Sequence, residues 1–521
     1  MMRKVLLLSL FLPSWAFCQL QSGYVFEDTN GDGKKDRKEK GISGVAVSNG
    51  VAVVLTDANG QYQLPVGDDN LFFVIKPADY QVPVDSLNIP RYYRIHKPGG
   101  SPAGYQYAGV QPTGPLPASL DFGLRPRPEN REFTALIFGD PQPYTLQDIE
   151  WFTRGVVEDV KGTKGLAFGL SLGDLVGDNL TLHQPYIRAV KEIGIPWYNL
   201  MGNHDMNYEA TEDHLSDETY EAHFGPANYA FNYGNAHFIV LDDILYPDPR
   251  DGKGYWGGFR KDQLDFVENN LKFVPKDKLI VLAYHIPLEE EGDSFRDEDR
   301  QRLFDLLKDY PNVFSMSAHT HLQRQNFFGA DRGWKGVKPW HEYNAGTTSG
   351  DWYSGEMDAR GVPYSTMRDG TERGYASLRI TGNTYSIDYK VAGESAAYQM
   401  EIFSPKVIPH GRGTSASIYV NFFMGHEGNA VDYRIDGGEW KPMRYVLEAD
   451  PSYQHRLHRW DYTDTLMAGR RPSNAVISTH LWRIGFPANL DEGEHLIEVR
   501  AEDMFGKVSV QQKKFRVEKS R

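Results

Sequence analysis

Five apolar runs, each followed within two residues by polar side chains, constrain the fold of this chain more than any other feature of its sequence. Each run has the length of a strand, and it lacks the alternation of apolar and polar residues that a strand with one solvent-exposed face shows. Each therefore predicts a strand of a sheet covered on both faces. In open α/β sheets, functional side chains gather beyond the carboxyl ends of the strands. We therefore expect the polar residues after the runs to meet at one rim. The runs cover residues 133–138, 166–172, 195–201, 279–284 and 313–318.

Helical patterns lie between these runs and give the middle of the chain an alternation of strand and helix. Such alternation predicts a layered α/β core, which we place at residues 131–395. Within it, residues 329–375 are rich in Gly, Trp and Tyr without periodicity and predict long loops. Apolar residues recur at helical spacing in residues 147–160, 184–193, 261–271 and 297–307.

Both ends of the chain show short strands separated by turn signals. Residues 19–126 predict a small β-sandwich-like domain with a hairpin turn at Asn59-Gly60, and the proline-rich stretch 111–128 predicts the linker into the core. Residues 400–521 predict a second β-sandwich-like domain. The expected fold class is therefore α/β, with a central layered sandwich flanked by two β domains. This organisation suits a length of 521 residues.

Residues 1–18 predict an export signal. Arg3 and Lys4 precede the apolar stretch 5–12, and a cleavage-site pattern lies before Gln19. A lipid anchor on Cys18 is less favoured, because Phe17 is bulky where a lipoprotein signal has a small residue. No later stretch reaches the roughly 20 apolar residues of a membrane span, and a formal charge of −14 argues against non-specific nucleic-acid binding. We expect a periplasmic or extracellular protein.

The polar residues after the five runs supply oxygen and imidazole donors and no thiolate. This mixture suits Mn, Fe or Zn and contains too much histidine for a pure Ca or Mg site. Asp174 is the expected bridge between two ions about 3.5–4 Å apart, which lower the pKa of a shared water and clamp phosphoryl oxygens. The candidate metal ligands are Asp140, Gln142, Asp174, Asn203, His285, His319 and His321.

Two residues that directly follow Asn203 are candidates for catalysis. His204 can face the substrate, where it would stabilise developing charge or protonate the leaving oxygen. Asp205 could orient that imidazole or could be a solvated turn residue, and both alternatives stay open.

Taken together, these motifs resemble the signature of the calcineurin-like metallophosphoesterases over residues 133–325. The resemblance makes His204 the substrate-side acid. It departs from the family twice, because Gln142 stands where the family has a histidine and Ala318 stands where it has a glycine. An amide oxygen is a weaker, neutral ligand, so Gln142 affects how one metal is bound or chosen. The resemblance implies that Asp140, Gln142, Asp174 and His321 hold one metal and that Asp174, Asn203, His285 and His319 hold the other.

The loop that contains Trp352 and Tyr353 resembles the closing stretch of exported, three-domain bacterial members of the same family. Both rings could line a substrate pocket by stacking on a base or sugar. Packing of the loop on the core is the alternative.

A candidate calcium loop lies in the N-terminal domain. Gly33 occupies the sixth position, where the sharp turn needs it, and Lys34 offers its carbonyl at the seventh. A plain Gly/Asp/Lys-rich loop without an ion is the alternative. The candidate ligands are Asp28, Asn30, Asp32, Lys34, Asp36 and Glu39.

The function expected from these features is metal-dependent hydrolysis of phosphomonoesters or phosphodiesters by an exported enzyme. The alternative is a non-catalytic protein that binds a surface glycan or polymer and retains a degenerate metal core, and Gln142 is its main support. The sequence does not distinguish mono- from diesters, and it does not indicate an oligomeric state.

Overall fold

The computed structural model describes residues 19–289, 292 and 294–519 of the chain. The predicted export signal and Cys18 lie outside the described residues. Within the described residues, no helix combines the length and the hydropathy that a membrane crossing requires.

The N-terminal region consists of two four-stranded sheets, with the orders β4-β1-β8-β6 and β3-β2-β5-β7. Their inward faces contribute Val25, Leu64, Phe72 and Phe73 to the core, all fully buried. The strands are β1 (Leu20–Glu27), β2 (Ala46–Ser48), β3 (Val53–Leu55), β4 (Gln61–Pro65), β5 (Asn70–Val74), β6 (Tyr80–Gln81), β7 (Tyr93–His96) and β8 (Phe122–Pro126).

The central region contains the five predicted strands, and helices lie at all four predicted positions. The sequence did not predict the further helix at residues 218–224. The strands are β9 (Glu132–Phe138), β10 (Leu166–Leu172), β11 (Trp197–Leu200), β12 (Tyr229–Tyr233), β13 (Ala236–Val240), β14 (Ile244–Leu245), β15 (Trp256–Gly257), β16 (Leu279–Ala283), β17 (Val313–Ser317), β18 (Arg324–Phe328), β19 (Trp340–Asn344), β20 (Gly374–Thr381) and β21 (Thr384–Val391). The helices are α1 (Leu146–Phe152), α2 (Glu158–Val160), α3 (His183–Lys191), α4 (Glu218–Phe224), α5 (Lys261–Leu271) and α6 (Asp297–Leu307).

These strands are divided between two main sheets, which the sequence pattern did not predict. One sheet has the order β11-β10-β9-β20-β21 and the other the order β12-β13-β16-β17-β19-β18. The antiparallel strand β20 pairs with β9, so that side of β9 is not open to β16 or β17. A run buried on both faces is equally compatible with either sheet, which is why the apolar pattern could not separate them.

The predicted long loop at residues 329–375 is partly wrong, because β19 lies inside it and pairs with β17 and β18. The remainder, between β19 and β20, has no strand or helix of its own.

The C-terminal region contains a four-stranded sheet, β22-β24-β28-β27, and a five-stranded sheet, β23-β30-β29-β25-β26. Helix α7 (Pro451–Asp461), which the sequence did not predict, begins at the N-cap Asp450 with proline in its first turn. An α/β core flanked by two β regions confirms the predicted fold class. The strands are β22 (Met400–Phe403), β23 (Val407–Pro409), β24 (Ser417–Phe422), β25 (Val431–Ile435), β26 (Lys441–Pro442), β27 (Arg444–Ala449), β28 (Ile477–Gly485), β29 (Gly493–Glu502) and β30 (Val508–Glu518).

Candidate metal centre

The predicted metal ligands all follow the carboxyl ends of strands, and the two central sheets bring these ends together. The turns after β9, β10 and β11 carry Asp140, Gln142, Asp174 and Asn203 from one sheet. The turns after β16 and β17 carry His285, His319 and His321 from the other. All except His319, which is partly exposed, are almost completely buried.

Four of these side chains converge on one small space. His285 Nε2 lies 3.3 Å from Asp174 Oδ1 and 3.1 Å from Asn203 Oδ1. His319 Nδ1 lies 3.0 Å from the same Asn203 oxygen and 3.3 Å from His285 Nε2. Donors bound to one ion at 2.0–2.1 Å lie about 3.0–3.4 Å apart. The spacing therefore fits a single divalent cation.

The neighbouring cluster contains Asp140, Gln142 and His321. Gln142 Nε2 lies 3.2 Å from Asp174 Oδ2. Within the described residues, Gln142 Oε1 and His321 Nε2 are buried and have no hydrogen-bond partner. An unsatisfied buried acceptor costs about 1–3 kcal/mol, and a cation between these atoms and Asp174 would satisfy both. The residues present therefore fit a second metal, with Asp174 shared.

Backbone carbonyls fix the tautomers of two of the histidines. The Nδ1–H of His285 donates to Leu172 O at 2.8 Å, and the Nδ1–H of His321 donates to Gly350 O at 2.6 Å. In both rings this arrangement directs Nε2 into the centre, because a metal-binding imidazole is commonly oriented by a hydrogen bond from its other ring nitrogen to a carbonyl or carboxylate.

Burial keeps two of the imidazoles neutral, because it lowers the pKa of His319 to about 3 and that of His321 to about 4. At His285 burial also lowers the pKa, but the charges of Asp174 and Asp140 outweigh it and raise the value to about 10. In the absence of a cation, the raised pKa of His285 keeps a positive charge beside Asp174, whereas burial raises the pKa of Asp140 well above its usual value.

His204 lies beside the centre with its side chain 26% exposed, and its partner is Asp178. His204 Nδ1 lies 2.7 Å from Asp178 Oδ1, to which the Tyr208 hydroxyl also donates. Burial lowers the pKa of His204, but the charge of Asp174 and the bond to Asp178 raise it to about 9. The sequence analysis missed Asp178; its only signal is an acidic residue four positions after Asp174 in a glycine-containing turn.

The structure contradicts both alternatives for Asp205. Its carboxylate is fully buried and does not contact the His204 imidazole. It accepts hydrogen bonds from the amides of Leu175, Val176 and Gly202 and lies 3.2 Å from His183 Nε2. Asp205 therefore joins the turn after β10 to the turn after β11.

The two loop aromatics have different environments. The Trp352 ring stacks on His321, with 4.0 Å between ring centroids and 27° between planes. Tyr353 is 4% exposed and its hydroxyl donates to Pro141 O, so its burial contradicts a place in a substrate pocket. Trp352 thus lies against the centre, whereas Tyr353 anchors the loop.

In the candidate calcium loop, the chain's own amides occupy the carboxylates. Asp28 accepts from the amides of Gly31 and Gly33, and Glu39 accepts from those of Thr29 and Asp36. Among the described residues, the set of three or more His, Cys, Asp or Glu groups close enough to share an ion is Asp174, His285 and His319. Calcium binding here stays a prediction.

Three sequence profiles of one family match the chain. The profile for the calcineurin-like phosphoesterase itself matches residues 133–323, that for its N-terminal part matches residues 29–111, and that for its C-terminal part matches residues 342–508. The chain therefore belongs to the calcineurin-like phosphoesterase family, which confirms the resemblance of its motifs. The predicted class, a metal-dependent phosphoric ester hydrolase, is confirmed at the level of this family.

No curated protein sequence matches the chain significantly. Among solved structures, it is similar to a purple acid phosphatase, PPD1, from seeds of yellow lupin (Lupinus luteus). That alignment has 12% identity and a TM-score of 0.37, and it covers 71% of this chain and 66% of the lupin protein, slightly under two thirds of its length. A superoxide reductase (neelaredoxin) from Ignicoccus hospitalis aligns with 10% identity and a TM-score of 0.14 over 24% of this chain and 89% of that chain. TM-scores this low do not establish a shared overall fold.

Proposed function

We propose that this chain is an exported phosphoesterase that hydrolyses phosphomonoesters or phosphodiesters at a centre of two divalent cations. The observation that carries the proposal is the convergence of the seven donors, two of which, Gln142 Oε1 and His321 Nε2, are buried without a partner in the described chain. When bound, the metal pair supplies hydroxide near neutral pH and neutralises the phosphoryl oxygens. The donor set favours Mn, Fe or Zn.

Each predicted ligand has a place in this proposal. Asp140, Gln142, Asp174 and His321 would hold one ion, and Asp174, Asn203, His285 and His319 would hold the other. The neutral Gln142 can serve as a ligand because its amide oxygen is an acceptor that is buried without a hydrogen-bond partner in the described residues.

His204 would act as the proton donor. Because Asp178 occupies Nδ1 and helps to keep the ring protonated, Nε2 is left to give its proton to the leaving alcohol oxygen. Export rests on the charged, apolar and cleavage-site pattern of residues 1–18, and N-terminal sequencing of the protein recovered from the producing cells tests it.

Metal analysis combined with hydrolysis of 4-nitrophenyl phosphate and bis(4-nitrophenyl) phosphate tests the catalytic proposal. We expect about two ions per chain, hydrolysis of at least one ester, and loss of both metal and activity in Asp174→Asn. In His204→Asn we expect the metal to remain and kcat to fall about 10²–10⁴-fold. His214→Asn, at an exposed position, is the control.

Two results would contradict the proposal. A metal-loaded protein that hydrolyses neither ester would favour the glycan- or polymer-binding alternative. An unchanged kcat in His204→Asn would remove the role assigned to that residue.

A further inference from the structure

Two arginines lie beside the aromatic ring that covers His321. The guanidinium carbons of Arg368 and Arg470 lie 5.7 Å and 5.8 Å from the centroid of the Trp352 indole. The indole itself stacks on His321 at 4.0 Å. Two positive charges therefore lie beside the aromatic ring that stacks on a candidate metal ligand.

Arg470 belongs to the C-terminal region, in the segment between α7 and β28. Hydrogen bonds of main-chain groups hold this segment on the loop between β19 and β20. Arg470 O accepts from the amide of Gly355 at 2.8 Å, and the amide of Ser473 donates to Asp351 Oδ2 at 2.7 Å. The amide of Val476 donates to Arg368 O at 3.1 Å. The C-terminal region thus fixes both arginines beside Trp352.

Neither guanidinium forms an ion pair with a carboxylate of the described residues. Arg368 donates from Nη2 to Thr320 O at 2.9 Å, but its buried Nε has no partner there. Neighbouring arginines differ: Arg471 is paired with Asp461, and Arg456 with Glu372. Like charges near one ring repel each other, and a buried donor without a partner is unfavourable. An anion between the two guanidinium groups would relieve both costs.

We propose that Arg368 and Arg470 bind a second anionic group of the substrate, a phosphate or a carboxylate, beside the phosphoryl group at the metal centre. Within the described residues, the two guanidinium groups contact none of the seven candidate ligand side chains, which places their anion away from the scissile group. Arginine binds both kinds of anion through paired hydrogen bonds. The inference rests on the proposed function and narrows its substrates to phosphoesters that carry a further negative charge.

Inhibitors that differ only in the second group test this site. The probes are inorganic phosphate, methylenediphosphonate and phosphonoacetate, measured by calorimetry on the metal-loaded protein and by competition with an aryl phosphate. We expect at least one two-anion probe to bind more tightly than phosphate. We expect Arg368→Ala and Arg470→Ala each to weaken that probe about tenfold, the scale of one charged hydrogen bond, and to change phosphate binding less than about threefold. Arg471→Ala, which removes a paired arginine next to Arg470, should change neither.

Comparison of methylenediphosphonate with phosphonoacetate shows whether the site binds a phosphate or a carboxylate. The metal content measured after each titration shows whether a probe has removed metal from the protein. Equal weakening of phosphate and of both two-anion probes would mean that the arginines contact the scissile group, and the inference would be wrong. It would also be wrong if neither variant changed any affinity. If the arginine-dependent binding persists in a protein that hydrolyses no ester, the proposed function fails and the anion site stands.

Discussion

At the scale of single residues, the charge of His204 depends on Asp178. The pKa of His204 is about 9, and an acid catalyst must be protonated, so kcat should fall as the pH rises through the pKa of this group. Asp178→Asn removes both a negative charge and a charged hydrogen bond from the imidazole. We expect the basic limb of the pH profile of kcat to move to lower pH by about one unit, which corresponds to about 1.4 kcal/mol.

The pH profile of Asp178→Asn separates this role from a structural one, because a loss of folding would scale kcat at every pH without moving the limb. Glu192→Gln, which alters an exposed ion pair with Lys161, should leave the profile unchanged. A limb at the wild-type pH in Asp178→Asn would show that the aspartate does not control His204.

The residues around His204 show how far the sequence could predict the site at this scale. The candidate ligands lie directly after buried runs, so their position in the chain also indicates their place at the end of a strand. Asp178 and Asp205 lie within the turns after runs 166–172 and 195–201, and only the folded turns determine that Asp178 contacts the imidazole while Asp205 accepts backbone amides. The carboxylate that contacts the His204 imidazole is thus 26 positions away in the chain, whereas the adjacent Asp205 does not contact it.

At the scale of elements, the turns after the strands hold their residues in a costly backbone conformation. Left-handed φ values occur at Asp140 (32°), Gln142 (39°), Asp174 (47°), His319 (66°) and His321 (53°). Holding a non-glycine residue in this left-handed region costs about 1–3 kcal/mol, which the surrounding contacts must offset. One such contact joins two turns, since the amide of Gln142 donates to Asp174 O at 2.8 Å. Strain of this kind is typical of sites that hold ligands in place.

Gly202 tests how closely these turns are packed. A Cβ added there would lie 2.1 Å from Asp174 N and 2.2 Å from Asp174 Oδ1, and the backbone atom cannot move independently of its turn. We expect Gly202→Ala to lower the free energy of unfolding by about 1–3 kcal/mol and to weaken metal binding, because it displaces the bridging carboxylate. Gly413→Ala, which meets nothing within 4 Å, is the control. Wild-type metal affinity in Gly202→Ala, measured by calorimetry, would contradict this picture of the centre.

The sequence predicted the strands of the centre more accurately than their arrangement. Residues 166–172 and 261–271 form a strand and a helix over the predicted ranges, because their apolar spacing is decided locally. The division of the five strands between two sheets depends on β20, which pairs with β9 from more than 230 positions away. No local pattern carries that information.

At the scale of the whole molecule, one lysine connects the N-terminal region to the catalytic region. Lys97 is 3% exposed, and its Nζ lies 2.7 Å from Glu218 Oε1, 2.7 Å from Glu221 Oε2 and 3.1 Å from Asp69 Oδ2. Glu218 and Glu221 belong to α4. Burial raises the pKa of Glu221 well above its usual value, and the neighbouring Asp217 adds to the effect, whereas the charge of Lys97 lowers it.

Replacing this lysine should therefore destabilise the protein, and more so at high pH. Lys97→Met leaves buried carboxylates without a cation, which costs about 3–5 kcal/mol. A buried carboxylate whose pKa is raised in the folded state stays protonated to higher pH there than in the unfolded chain. It therefore opposes folding little at low pH, and increasingly as the pH rises above its pKa in the unfolded chain. Urea unfolding at pH 5 and pH 8 should thus show the larger loss at pH 8. Lys161→Met, which breaks an exposed pair with Glu192, should change the stability little at either pH. An equal loss in the two variants would mean that the cluster around Lys97 does not hold the two regions together.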